Sequence, residues 1–125
     1  MDILKLRQYS SIYSVDCFAK EFKGMFDTSS LKRYQDWLSK ILFRIDERER
    51  IPIKLEKLTP ELYSIRHPRS KCNPRVVLAY MDSGKNIILL TAFKEKTASD
   101  YRLGIDRANG RIKQLKEDSS HGHKI

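Results

Sequence analysis

The chain has 125 residues, enough for one domain with a single hydrophobic core. Its 33% charged and 40% hydrophobic residues exclude a disordered chain, and no run approaches the roughly 18 apolar residues of a membrane-spanning helix. The 25 Lys and Arg against 16 Asp and Glu give a net charge of +9, which favours nucleic acid, an acidic protein or an anionic membrane face as partner.

The first third of the chain predicts a strand followed by two helices. The N-terminus lacks the layout of a signal peptide, so Cys17 and Cys72 are interpreted as free thiols of a cytoplasmic protein. Residues 2–13 indicate a strand, and residues 14–23 indicate a short helix that ends at Gly24. A longer helix is predicted at about residues 29–48, because apolar residues recur every three or four positions, at Leu31, Tyr34, Leu38, Ile41 and Ile45.

The rest of the chain predicts an antiparallel meander and a last helix. Residues 62–66, 75–81 and 87–93 have the apolar, β-branched character of strands, and Gly84 lies in the hairpin loop between the last two. A helix is expected from about residue 99 to residue 116. The predicted fold is α+β: N-terminal helices packed on one side of a curved antiparallel sheet, with a C-terminal helix. Residues 1–118 are expected to form the single domain, and residues 119–125 a flexible tail.

Basic residues gather at one end of the predicted meander. The loop before residue 75 and the segment after residue 93 lie at the same end, because the hairpin loop occupies the other. We therefore expect seven basic side chains to converge there: Arg66, His67, Arg69, Lys71, Arg75, Lys94 and Lys96. The alternative is that charged residues gather wherever strands emerge into solvent.

Such a cluster suits RNA. Lys and Arg neutralise phosphates, and an aromatic side chain can stack on a base. The cluster also suits cleavage through the 2′-OH, which needs a base, cations at the phosphate and an acid. The sequence contains no Gly-rich phosphate loop, no Cys/His metal spacing and no Ser-His-Asp arrangement, so no cofactor and no metal are predicted.

One stretch of the chain, from residue 57 to about residue 115, resembles a known family in the order of its elements. The matching segments are Lys57-Leu58-Thr59, Leu62-Tyr63-Ser64-Ile65-Arg66, Pro74-Arg75-Val76-Val77-Leu78-Ala79-Tyr80, Ile87 through Lys96-Thr97, and Ile105-Asp106-Arg107-Ala108. They resemble the RelE/HigB superfamily of toxins from type II toxin–antitoxin systems, in its phage-derived branch. The resemblance implies a small RelE-like domain that cleaves mRNA on the ribosome without a metal, and a cognate antitoxin as partner. It implies no membrane partner.

The site candidates come from two sources. The resemblance implies roles for Arg66, Arg75, Lys94, Lys96 and Tyr101. The others are candidates because they belong to the basic cluster (His67, Arg69, Lys71) or would extend its basic face (Lys54, Lys57), and His67, Lys54 and Lys57 could equally be residues without a role. The catalytic candidates are Arg75, Lys94, Lys96, Tyr101 and His67. The RNA-binding candidates are Arg66, Arg69, Lys71, Lys54 and Lys57. In this chain Glu95 stands where some members carry another basic residue.

Several alternatives stay open at the level of sequence. Tyr101 also belongs to the apolar stripe of the last helix, so it could be a core residue. The ParE-like branch shares the fold and inhibits DNA gyrase without cleaving RNA. A basic nucleic-acid-binding module without catalytic activity is the third possibility.

Overall fold

A computed structural model describes residues 1–48, 55–67, 71–118 and 125. Within these ranges the chain forms six strands and three helices. The strands are β1 (Ile3–Lys5), β2 (Ile12–Val15), β3 (Glu56–Lys57), β4 (Tyr63–Arg66), β5 (Pro74–Met81) and β6 (Asn86–Lys94). The helices are α1 (Phe18–Gly24), α2 (Thr28–Asp46) and α3 (Ala98–Glu117). The predicted α+β class is confirmed, as are the long second helix and the last helix.

The strands form one sheet in the order β1-β2-β6-β5-β4-β3. The predicted meander of β4, β5 and β6 is present, with antiparallel pairing throughout. The sheet is larger than predicted and mixed, because β2 pairs parallel to β6 and β3 pairs antiparallel to β4. The predicted short helix began too early: Ser14 pairs with Leu89 in the sheet, and α1 starts only at Phe18.

A β-bulge in β6 determines which side chains share a face of the sheet. Val77 pairs with Thr91, whereas the next residue, Leu78, pairs with Leu89, so Leu90 is an extra residue in β6. All three β6 residues are completely buried, as expected for a central strand. Beyond the bulge, Phe93 pairs with Arg75 and shares its face, while Leu89 shares the opposite face with Leu78.

The helices pack on both faces of the sheet, which corrects the expectation of helices on one side. Helix α3 covers the face of Phe93, whose ring lies so close to Gly104 that a Cβ there would overlap it. Helix α2 covers the opposite face, where Leu38 and Leu42 line one cavity together with Leu89. We call these the α3 face and the α2 face. The side chains at the basic end of the sheet lie on one or the other of these two faces.

Helix α3 begins immediately after β6 because the connecting residues form a capping box. The Thr97 hydroxyl accepts a hydrogen bond from the Asp100 amide, and the Asp100 carboxylate accepts one from the Thr97 amide. This short connection brings the first turn of α3, including Tyr101, to the end of the sheet where β5 begins. In the described part of the chain, no helix is long and apolar enough to cross a membrane.

Candidate functional site

An open cleft of about 590 Å³ lies on the α3 face, where β5 begins and β6 ends. Its walls come from β3, β4, β5, the segment after β6 and the start of α3. The lining residues are Glu56, Arg66, Asn73, Arg75, Glu95, Lys96, Thr97, Ala98 and Tyr101. We call it the Arg75 cleft.

Arg75 forms the floor of the cleft and is held by three side chains. Its side chain is only 2% exposed. Nε and Nη2 donate to one carboxylate oxygen of Glu95, at 3.0 and 2.6 Å. Nη1 donates to Glu56 at 3.1 Å and to the Ser64 hydroxyl at 3.0 Å. A buried charge requires such partners, because an unpaired guanidinium would lose its hydration without compensation.

Tyr101 lies over this ion-paired guanidinium. Its ring centre is 5.2 Å from the Arg75 Cζ, within the range of a cation–π contact. Tyr101 and Ile105 are half-buried, whereas the later members of the same helical stripe, Ala108 and Ile112, are buried in the core. It therefore stands at the boundary between the core and the cleft, and its ring is available to line a binding site.

Four predicted site residues line the Arg75 cleft: Arg66, Arg75, Lys96 and Tyr101. Arg66 and Lys96 are exposed, while Arg75 is buried beneath them. Arg66 pairs directly with Arg75 in the sheet, which places both side chains on the α3 face. The meander topology correctly predicted this meeting at one end of the sheet.

His67 lies on the other face of the sheet, which corrects its predicted place in the cluster. It follows Arg66 directly, and successive residues of an extended chain point to opposite faces. Its ring packs edge-on against Tyr34 and Trp37 of α2, with ring centres 5.6 and 5.1 Å apart. Its Nδ1 is buried and has no hydrogen-bond partner among the described residues.

Lys94 also lies on the α2 face, so it does not line the Arg75 cleft beside Lys96, as the predicted basic cluster required. Lys94 pairs with Pro74 in the sheet, and its charge lies close enough to Asp27, the N-cap of α2, to help lower the pKa of that carboxyl group. The main cause of the lowered Asp27 pKa is hydrogen bonding from Ser30. Strand β6 ends at Lys94, and the strict alternation of side chains ends with it.

The remaining RNA-binding candidates lie outside the cleft or outside the described residues. Lys57 is an exposed residue of the edge strand β3, and Lys71 is exposed in the turn before β5. Neither lines the cleft among its described residues. Lys54 and Arg69 lie outside the described part of the chain.

The sequence interpretation missed two carboxylates, Glu56 and Glu95. Glu95, which stands where some members of the resembled family carry a basic residue, reaches Arg75. Its backbone is fixed to Asn73 in both directions, since its amide donates to the Asn73 carbonyl and its carbonyl accepts from the Asn73 side chain. The signal that could have found this pair is an arginine in an otherwise apolar strand, since a buried guanidinium requires an acidic partner.

A second ion-pair cluster joins α1 to α3, away from the cleft. Arg111 donates to both carboxylate oxygens of Glu21, at 2.7 and 2.6 Å, and to the Leu90 carbonyl at 2.7 Å. Burial opposes ionisation of Glu21, but the hydrogen bond and charge of Arg111 outweigh it, and the pKa of Glu21 is lowered. The cluster thus satisfies the carbonyl of the bulge residue. The described residues contain no group of His, Cys, Asp and Glu arranged to hold a metal ion.

Comparison with known proteins identifies the fold. No protein-family model matches the chain. No curated protein is significantly similar to it in sequence. Among solved structures, the chain is similar to the E. coli toxin RelE, determined in the free state with two arginine-to-alanine substitutions. The two chains are 19% identical, the similarity covers 79% of this chain and 97% of that chain, and the TM-score is 0.53. The chain therefore has a RelE-like α+β fold.

Proposed function

We propose that this protein is the toxin of a type II toxin–antitoxin system and an endonuclease that cleaves mRNA on the ribosome. The observation that carries the proposal is the Arg75 cleft. In it, Arg66, Arg75, Lys96 and Tyr101 line one open site of a RelE-like fold. Cations and an aromatic ring at the mouth of a cleft are the groups that bind phosphates and bases of single-stranded RNA.

The proposed reaction is attack of a 2′-OH on the adjacent phosphorus. The 2′-oxygen forms a bond to phosphorus, the bond from phosphorus to the 5′-oxygen breaks, and a 2′,3′-cyclic phosphate results. The 2′ proton goes to the carboxylate of Glu56, whose side chain is 50% exposed at the cleft. The leaving 5′-oxygen takes a proton from the Lys96 ammonium group. Arg66 balances the charge that develops on the phosphate, and the Tyr101 ring stacks on a base.

The sequence left the base unassigned, with His67 among the catalytic candidates, and we assign that role to Glu56. His67 packs against α2 on the opposite face of the sheet, whereas Glu56 lines the cleft and forms an ion pair with Arg75.

The test is a translating cell extract to which the purified protein is added. We expect mRNA cuts at fixed positions within codons, and no cuts in the same mRNA without ribosomes. Glu56→Gln should slow cutting by about 10²-fold or more, the usual contribution of a general base. Lys96→Ala and Arg66→Ala should also slow it, and both residues are exposed, so the fold should persist.

Lys113→Ala is the matched control, because Lys113 is an exposed lysine on the same helix as Tyr101 but lines a different groove with Thr59 and Glu61. Its cutting rate should equal that of the unaltered protein. Intact mRNA together with trapped gyrase–DNA complexes would contradict the proposal and favour the ParE-like function. Cutting that is equally reduced by Lys113→Ala would show a general charge effect and not a site.

The proposal includes a cognate antitoxin that neutralises the toxin. The net charge of +9 favours an acidic segment that covers the basic surface. A reading frame for a small DNA-binding protein beside this one, whose co-expression restores growth, would support it. Growth that is unaffected by expression of this protein alone would count against a toxin.

A further inference from the structure

Arg75 has almost no hydrogen-bonding capacity left for a substrate. A guanidinium has five N–H groups. Four donor contacts are already made, to Glu95 twice, to Glu56 and to Ser64. The side chain is 2% exposed, and the Tyr101 ring covers one face of the guanidinium. A phosphate therefore cannot form the usual two-point contact with Arg75 unless one present partner leaves.

The three partners of Arg75 are not equally easy to displace. Glu95 is 19% exposed, accepts two hydrogen bonds from the guanidinium, and has its backbone tied to Asn73 in both directions. Ser64 is 1% exposed and lies inside β4. Both are parts of the packed structure and cannot move without disturbing it.

Glu56 is held much less firmly. Its side chain is 50% exposed and forms one ion pair with Arg75, at 3.1 Å. It belongs to β3, an edge strand of two residues. Because its side chain is half exposed, water can solvate the Glu56 carboxylate once it leaves, and Glu95 still balances the charge of the buried guanidinium. Glu56 is thus the partner that can leave at little cost.

We propose that Glu56 occupies a phosphate position on Arg75, and that a phosphodiester of RNA takes this position when RNA binds in the cleft. The incoming phosphate oxygens then accept from Nη1 of Arg75 in place of the carboxylate. Arg66 and Lys96 line the same cleft and balance the additional negative charge. Glu95 stays in place and fixes the orientation of the guanidinium. This inference rests on the proposed function only in taking RNA as the ligand.

The exchange has a structural consequence for Glu56. Once displaced, its carboxylate stays beside the phosphate that replaced it, because β3 remains paired to β4 through Glu56 and Ser64. It is then no longer ion-paired with Arg75 and remains in the cleft. Binding of the substrate thus releases the group to which we assign the 2′ proton.

The test measures binding separately from cleavage. The probe is a short 2′-O-methyl RNA oligonucleotide, which lacks the attacking hydroxyl and cannot be cut, and its Kd is measured by fluorescence anisotropy at several salt concentrations. Glu56→Gln keeps the size of the side chain and removes the competing charge. We expect it to bind the oligonucleotide about 3- to 10-fold more tightly than the unaltered protein, as loss of a competing ion pair of up to about 1 kcal/mol plus relief of repulsion implies.

Glu61→Gln is the matched control. Glu61 also has a half-exposed side chain and, among the described residues, one ion pair, to Lys116 at 2.7 Å, near the C-terminal end of α3 and away from the cleft. Both variants raise the net charge by the same amount, so long-range electrostatics change alike. Glu61→Gln should leave the Kd within about 1.5-fold of the unaltered protein at about 150 mM salt, where charges farther apart than the Debye length are screened.

The outcomes separate the two proposals. If Glu56→Gln binds no more tightly than Glu61→Gln, or if neither variant binds the oligonucleotide at low salt, the exchange is overturned. If Glu56→Gln alone binds more tightly but the unaltered protein never cuts mRNA, the exchange stands and the endonuclease proposal fails. If Glu56→Gln binds more tightly and cuts more slowly, both stand.

Discussion

Replacement of Glu95 by glutamine tests how the buried charge of Arg75 is balanced. The change keeps the size of the side chain and one oxygen acceptor but removes the negative charge that faces Nε and Nη2. The guanidinium, 2% exposed, would then have only the half-exposed Glu56 as an ionic partner. Loss of one partner from a buried ion pair costs about 3–5 kcal/mol. Because the side-chain amide oxygen introduced by Glu95→Gln still accepts a hydrogen bond and Glu56 remains, we expect about 2 kcal/mol of destabilisation.

Urea denaturation followed by circular dichroism measures this effect. With a slope of about 2 kcal/mol per molar urea for a domain of this size, the midpoint should fall by about 1 M. Glu61→Gln is again the control, because its partner Lys116 is 41% exposed and the pair should contribute less than about 1 kcal/mol. A midpoint shift for Glu95→Gln no larger than that for Glu61→Gln would refute the reasoning.

A double variant shows whether Glu95→Gln destabilises the protein because the Arg75 charge loses its partner or because packing is lost. Arg75→Met fills much of the same volume without a charge. In the Glu95→Gln background it should restore part of the lost stability, because no unpaired guanidinium remains. If the two changes destabilise additively, the loss in Glu95→Gln comes from contacts other than the charge of Arg75.

Two further predictions concern the packing of α3. Gly104→Ala should destabilise the protein by about 1–3 kcal/mol, because the added Cβ overlaps the Phe93 ring. Gly110→Ala should stabilise it by about 1 kcal/mol, since open space surrounds that position. Urea titrations that rank the two variants in the opposite order would contradict this. The pKa of Glu21 is lowered below its ordinary value of 4.5, so its ion pair with Arg111 stabilises the fold above that pH and the contribution is lost as pH falls through the folded-state pKa. The stability difference between the unaltered protein and Glu21→Gln should therefore be largest near pH 7 and shrink towards pH 3, and a difference that does not change with pH would count against the ion pair.

The long elements of the fold were predictable because each carries its own periodicity. Helix α2 repeats Tyr34, Leu38 and Ile41 on one face, and β5 and β6 are apolar almost throughout. Strands β1, β2 and β3 have two to four residues and no periodicity of their own. They form because a neighbouring strand offers unpaired backbone groups, and that partner is not visible in the local sequence.

The candidate site was predictable in position but not in the direction of its side chains. Hairpin topology places the ends of β4, β5 and β6 together, and Arg66, Arg75 and Lys96 do meet there. Direction depends on register and on where a strand ends. Glu95 continues the alternation of Phe93 and Lys94 and so reaches Arg75, whereas Lys96 reaches the same cleft because β6, and with it strict alternation, ends at Lys94.

Glu95 and Glu56, the two carboxylates that contact Arg75, have different roles because they are buried to different extents. Glu95, 19% exposed and tied to Asn73, balances a charge that the fold cannot leave unpaired, so its loss should lower stability and RNA binding together. Glu56, half exposed on a two-residue strand, contributes little to stability and competes with the ligand, so its loss should hardly change stability while RNA binding tightens. In a site built only of cations, binding of a polyanion would leave the ionic partners of the catalytic groups unchanged. A carboxylate that leaves when phosphate arrives makes the release of the proposed base depend on the presence of the substrate.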